Sequence, residues 1–102
     1  MKVQNKEEIL KLLTENNLEL KKFGVIRIGL FGSFISDEQR DDSDVDLLVE
    51  FEPEKKSFKN FMETANLTEK LFGRKVEIVT PQSLSPYIEP YVRREVKYVQ
   101  TA

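Results

Sequence analysis

From Asp44 to Phe51 the chain alternates, with Leu48 the one apolar residue on its polar side. Val45, Leu47, Val49 and Phe51 fall on one side of an extended strand, and Asp44, Asp46, Leu48 and Glu50 fall on the other. A two-residue period belongs to a β-strand, so the first set is a core face. The second set puts two carboxylates, two residues apart, on the opposite side of that strand. Any fold for this chain must bury one face here and leave the start of the other open.

The flanking segments supply what such a strand needs to pack against. Pro53 closes it, Ser57 is suited to cap a helix carrying Phe58, Phe61, Met62, Ala65 and Phe72 on one side, and Gly73 can end that helix. Lys75 to Val79 predicts a short further strand. Upstream, Val25 to Phe31 is β-branched and apolar enough for a strand, and Gly32-Ser33 ends it in a tight turn. Asn5 with Glu8 resembles a helix cap, after which Ile9, Leu12, Leu13, Leu20 and Phe23 keep helical spacing to Gly24, with an interruption near Asn16-Asn17. Ser36 to Ser43 is a polar loop or short helical turn. Beyond Thr80-Pro81, helical spacing over Leu84, Tyr87, Ile88, Tyr91, Val92, Val96 and Val99 predicts a short turn from Pro86 and a final helix with Pro90 at its first position. The expected architecture is a single α/β domain over residues 1–102, a small mixed β-sheet flanked by helices.

Composition narrows the chemistry more than the fold. The 102 residues include no cysteine and no histidine. That excludes disulfides, thiolate zinc sites, a cysteine nucleophile and a Ser-His-Asp triad, and leaves carboxylates, hydroxyls, Lys, Arg or a bound metal. A net charge of −2 argues against a broad surface for duplex DNA, so no direct DNA binding is expected. No apolar run approaches the roughly 20 residues that span a bilayer. The start, Met1-Lys2-Val3-Gln4-Asn5, enters a charged helical pattern rather than a secretory core, and the expected location is the cytoplasm.

Asp44 and Asp46 can jointly hold a hard cation. Magnesium suits such a pair, because it retains waters and takes one or two protein carboxylates plus substrate phosphates. Gly32-Ser33 can hold those phosphates, since a residue without Cβ lets backbone N–H groups approach an anion and the hydroxyl adds a donor. Glu77 is the candidate third carboxylate. It alternates with Val76 and Ile78 on a strand that can lie beside the first, where it could ligate metal and ease deprotonation of an acceptor hydroxyl. Taken singly each motif has a plainer reading: an Asp-x-Asp pair is more often a solvated strand end, a Gly-Ser pair mostly a turn, and Glu77 could face water at a sheet edge.

The combination is more specific. Gly32-Ser33, ten residues, then Asp44-Val45-Asp46-Leu47-Leu48-Val49 resembles the signature of the DNA polymerase β-like nucleotidyltransferase superfamily, and most closely its minimal nucleotidyltransferase (MNT) family. The resemblance runs from Phe23-Gly24-Val25 through Lys75-Val76-Glu77-Ile78-Val79-Thr80-Pro81 to Ser85-Pro86-Tyr87-Ile88 and Arg94-Glu95. It implies the polymerase β-like fold and a magnesium-dependent transferase, with two Mg2+ ions held by Asp44, Asp46 and Glu77 and the triphosphate of ATP held by Gly32 and Ser33. It also implies a partner: members are commonly paired with a HEPN-domain ribonuclease toxin and look like antitoxins that add AMP to a toxin tyrosine. Two departures stand out, Ile35-Ser36-Asp37 where many relatives have Ala-Arg-Gly, and Glu77 where the usual third acid is aspartate.

Two other functions fit the same residues. One is an antitoxin that inhibits its toxin by binding alone, and the other is a nucleotidyltransferase acting on RNA ends or small molecules. Tyr87 and Tyr91 read either as partner anchors or as packing residues of the last helix.

Overall fold

A computed structural model of the chain describes residues 2–101. The N-terminal helical pattern resolves into α1 (Lys6–Glu15) and α2 (Asn17–Lys22). The Asn5 side chain accepts from the Glu8 N–H to start α1, and the Asn16 amide donates back to the Leu12 carbonyl where α1 stops. Strand β1 (Val25–Phe31) runs into a 3-10 turn, Gly32–Phe34, and β2 (Val45–Phe51) follows a loop. A second 3-10 turn, Pro53–Lys55, precedes α3 (Phe58–Phe72), capped by the Ser57 hydroxyl and ended by Gly73 in the left-handed conformation. Then come β3 (Val76–Val79), a third 3-10 turn at Pro81–Ser83, α4 (Glu89–Glu95) and β4 (Lys97–Gln100).

The sheet has the order β3-β2-β1-β4. It is mixed: β1 lies antiparallel to both β2 and β4, and β2 lies parallel to β3 through the α3 crossover. One face carries the core. Ile28 and Leu30 of β1 and Val45, Leu47, Val49 and Phe51 of β2 pack with Ile9 and Leu13 of α1, Leu20 of α2 and Phe72 of α3. A register shift between Val25 and Arg27 lets Val25 stay in the core while Arg27 turns to the other face. That second face bears Arg27, Asp46, Leu48, Glu50 and Tyr98, and α4 with the segment before it borders it around Arg27, Leu48, Glu50 and Tyr98.

Two expectations are corrected. The helical spacing over Val96 and Val99 does not continue α4, because the chain turns extended at Val96 and pairs as β4 with β1, Val99 opposite Ile28 and Tyr98 opposite Gly29. Without β4, the outer edge of β1 would leave its backbone N–H and C=O groups unpaired. Gly29 makes this approach possible, since a Cβ there would collide with Val96 and Tyr98. The apolar stripe of α3 also differs: Phe58 is 80% exposed and Met62 faces solvent, while Thr64 and Thr68 are buried. Each threonine bonds its hydroxyl to the carbonyl four residues back, Thr64 to Asn60 and Thr68 to Thr64, which satisfies the group and lets its methyl pack.

Candidate active site

The site is assembled at the end of the sheet where β1 leaves and β2 enters. Phe31 pairs with Asp46, and on the other side of β2 Asp46 pairs with Glu77 of β3. Residues paired across parallel strands project to the same face, so Asp46 and Glu77 stand side by side, and Asp44 lies just before β2 on the same side as Asp46. Their proximity has an electrostatic consequence. Burial first, then the charges of Glu77 and Asp44, push the Asp46 carboxyl up to about 6. Among the described residues no three acidic side chains are close enough, as placed, to form a ready-made metal cage. The carboxylates sense one another at longer range, as like charges do.

Gly32 is bound to this cluster by shape. Its φ is +81°, and a Cβ built on it would overlap the Asp46 carboxylate, lying 3.0 Å from Cγ. Glycine is therefore required twice at one position, for the turn and for the close approach. The Gly32 carbonyl accepts from the Ile35 and Ser36 amides to close the turn, while the Ser33 and Phe34 amides, at its start, donate to no backbone carbonyl among the described residues. Phe34 is fully buried and anchors the turn to the core.

Asp37, three residues beyond the turn, has φ +59° and is tied to the first residue of α1: Lys6 Nζ lies 2.9 Å from its carboxylate. The hydrogen bond to Asp37 holds the Lys6 ammonium above its ordinary range. The acid at this position is thus engaged with α1.

Two arginines that the sequence pattern did not single out shape the site. Arg27 forms an ion pair with Glu50 across β1 and β2 and stacks on Tyr98, 3.8 Å from the ring centroid. Together with Leu48 they bound a cavity of about 110 Å³ further along the Asp46 face. A charged residue between Ile26 and Ile28, matched by Glu50 in the next strand, was the available signal. Arg74 is buried under the loop that leads to Asp44, and its only sequence signal is a cation squeezed between a helix-ending glycine and a strand.

A small mixed sheet with acids at the start of β2 and on its parallel neighbour, beside a glycine–serine turn, is suited to metal-assisted chemistry on phosphates. Residues 7–99 match the nucleotidyltransferase domain family, and the chain belongs to it. It is 46% identical over 94 residues to the protein adenylyltransferase MntA of Thermococcus cleftensis, which covers 91% of this chain and 94% of that relative. It superimposes on a solved structure described as a minimal nucleotidyltransferase with a TM-score of 0.70 and 32% identity, over 86% of this chain and 93% of that one. A toxin–antitoxin structure with AMP-PNP shares the fold, with a TM-score of 0.65 at 24% identity over 97% of this chain and 75% of that one.

Proposed function

We propose that this nucleotidyltransferase is a magnesium-dependent protein adenylyltransferase and an antitoxin, moving AMP from ATP to a tyrosine of a cognate HEPN-domain ribonuclease toxin in the cytoplasm. The observation that carries the reading is the register of Asp46 with Glu77 beside Gly32, which gathers an all-oxygen donor set next to a turn with free amides. The donors suit magnesium: hard carboxylates, one partly buried and disfavoured as an anion until a cation relieves it. Asp44, Asp46 and Glu77 would hold the metal, which supplies charge neutralisation and polarisation of the phosphate oxygens.

The remaining work falls to the chain. The Ser33 hydroxyl and the amides of the turn hold the triphosphate, orienting its α-phosphorus toward the acid cluster. The tyrosine oxygen forms a bond to that phosphorus as the bond to the bridging oxygen breaks, and pyrophosphate leaves. In this reading Glu77, which is exposed at the edge of the sheet, takes the hydroxyl proton. The similarity to MntA supports the choice of a protein as acceptor.

Incubation with ATP, magnesium and the cognate toxin is expected to add one AMP mass to a toxin tyrosine, and Asp46→Ala is expected to abolish the addition. Silencing of the toxin by Asp46→Ala at matched levels would support the second reading, inhibition by binding alone. That reading draws on a different feature, the exposed Tyr87, Ile88 and Tyr91 at α4.

A further inference from the structure

We infer that Arg74 is a positioning residue that holds the loop delivering Asp44 and the turn carrying Gly32 and Ser33 in one fixed relation. The inference rests on the reading of Asp44, Asp46 and Glu77 as metal ligands. Arg74 is only 8% exposed although charged. Its Nε donates to the Val3 carbonyl at 2.8 Å, and its Nη1 faces three carbonyls of one loop, those of Arg40 and Asp41 at 3.1 Å and that of Ser43 at 2.8 Å. A buried guanidinium is costly unless its donors are satisfied, so the loop must wrap the cation for the cation to stay where it is.

The loop's other restraints are exposed side-chain contacts, Lys2 pairing with Asp41 at 3.2 Å and the Gln39 amide donating to the Gln4 carbonyl at 3.0 Å, and its own closing turn. Ser43 closes it by accepting from the Arg40 amide at 2.7 Å and donating its own amide to the Arg40 carbonyl at 3.1 Å. Its outer side borders an open cleft of about 330 Å³ that reaches Asp44. Asp44 follows Ser43 directly, and the Val45 amide donates to the Lys75 carbonyl, the residue next to Arg74, at 2.9 Å. The acid is therefore clamped on both sides by the segment that carries Arg74. The same guanidinium lies 4.9 Å from the centroid of Phe34, the last residue of the Gly32–Phe34 turn. One planar cation thus contacts both the loop that leads to Asp44 and the last residue of the Gly32–Phe34 turn. Lysine cannot replace it, because an ammonium on a flexible stem lacks the fork that meets several carbonyls and a ring together.

The test compares Arg74→Lys and Arg74→Met with the wild-type chain, reading the dissociation constant of magnesium plus a non-hydrolysable ATP analogue by calorimetry, the melting temperature, and amide exchange at residues 41–45. Leu20→Ala, a core truncation in α2, controls for lost stability, and Asp46→Asn controls for the ligand reading. Both Arg74 variants are expected to bind the magnesium–analogue pair at least ten-fold more weakly and to exchange the loop amides faster. Leu20→Ala, at a similar loss of melting temperature, is expected to keep wild-type affinity. A third variant, Arg74→Ala, is expected to lose affinity likewise and to regain part of it in millimolar ethylguanidinium, and a loss that ethylguanidinium leaves untouched counts against the positioning role. Wild-type affinity in either folded Arg74 variant, or the same weakening in Leu20→Ala, overturns the positioning role. If neither variant folds, Arg74 is a requirement of the fold and the role is rejected. Unchanged affinity in Asp46→Asn would instead remove the ligand reading, and the inference with it, whatever the Arg74 variants do.

Discussion

Gly32 and Asp46 illustrate how one residue's chemistry is set by another's shape. Gly32→Ala forces a side chain into the left-handed region and against the Asp46 carboxylate. The conformational part alone is worth about 1–2 kcal/mol, and displacing an acid by about 1 Å can cost roughly 100-fold in rate. The expected result is a lowered melting temperature together with a disproportionate loss of adenylyl transfer, measured on the same preparation. Asp46 makes a separate prediction about pH. Its carboxyl is pushed up to about 6 from an ordinary 3.8, so between those values the folded chain binds more protons than the unfolded one. In the metal-free chain, stability is therefore fullest below about 4 and falls as pH rises through about 6. Discounted for the part of the group that water reaches, the loss is about 1 kcal/mol. Thermal melts should find Asp46→Asn several degrees more stable than wild type at pH 7.5, with the gap closing by pH 4.5. A gap that widens toward low pH would contradict the burial and charge effects assigned to Asp46.

At the scale of elements, α3 sets where Glu77 lies. Its cap at Ser57 and its stop at Gly73 determine the point from which the chain returns as β3 parallel to β2. Gly73 has φ +65°, a conformation asparagine tolerates better than alanine. Gly73→Ala is expected to cost about 1 kcal/mol and Gly73→Asn clearly less, an order that chemical denaturation can check. Equal losses would mean that the end of α3 is held by something other than this turn. The elements also account for the two misread stretches. Threonine hydroxyls in α3 are satisfied within their own helix, so Thr64 and Thr68 could enter the core in place of Phe58 and Met62. Residues Lys97–Gln100 follow a helical spacing, yet the open edge of β1 offered them a ladder of hydrogen bonds.

For the whole molecule, the sheet divides the labour. Its helix-covered face supplies stability, and its other face keeps Asp46 and Glu77 accessible. Among the described residues no helix is long and apolar enough to cross a membrane. The exposed aromatics lie away from the main core: Tyr87 is 86% exposed and Tyr91 61%. Under the proposed function they are partner anchors. Tyr87→Ala should change the free chain's stability by no more than about 0.5 kcal/mol while weakening association with the toxin by about ten-fold or more. Wild-type affinity in a pull-down titration would place the partner surface elsewhere.

The alternation from Val45 to Phe51, the caps at Asn5 and Ser57 and the stop at Gly73 were legible in the sequence because each is a local matter of period, side-chain hydrogen bonding or backbone conformation. The proposal of one site drew Gly32, Ser33, Asp44 and Asp46 from the spacing of the motif and Glu77 from its alternation with Val76 and Ile78. Their mutual placement was not local. Only the pairing of β2 with β1 on one side and β3 on the other put Gly32 and Glu77 on either side of Asp46. Arg74 depended on tertiary structure still more, since its worth lies in carbonyls contributed by residues 31 to 71 positions away. Backbone carbonyls are the same for every residue type, so no sequence pattern marks which of them a distant guanidinium will find.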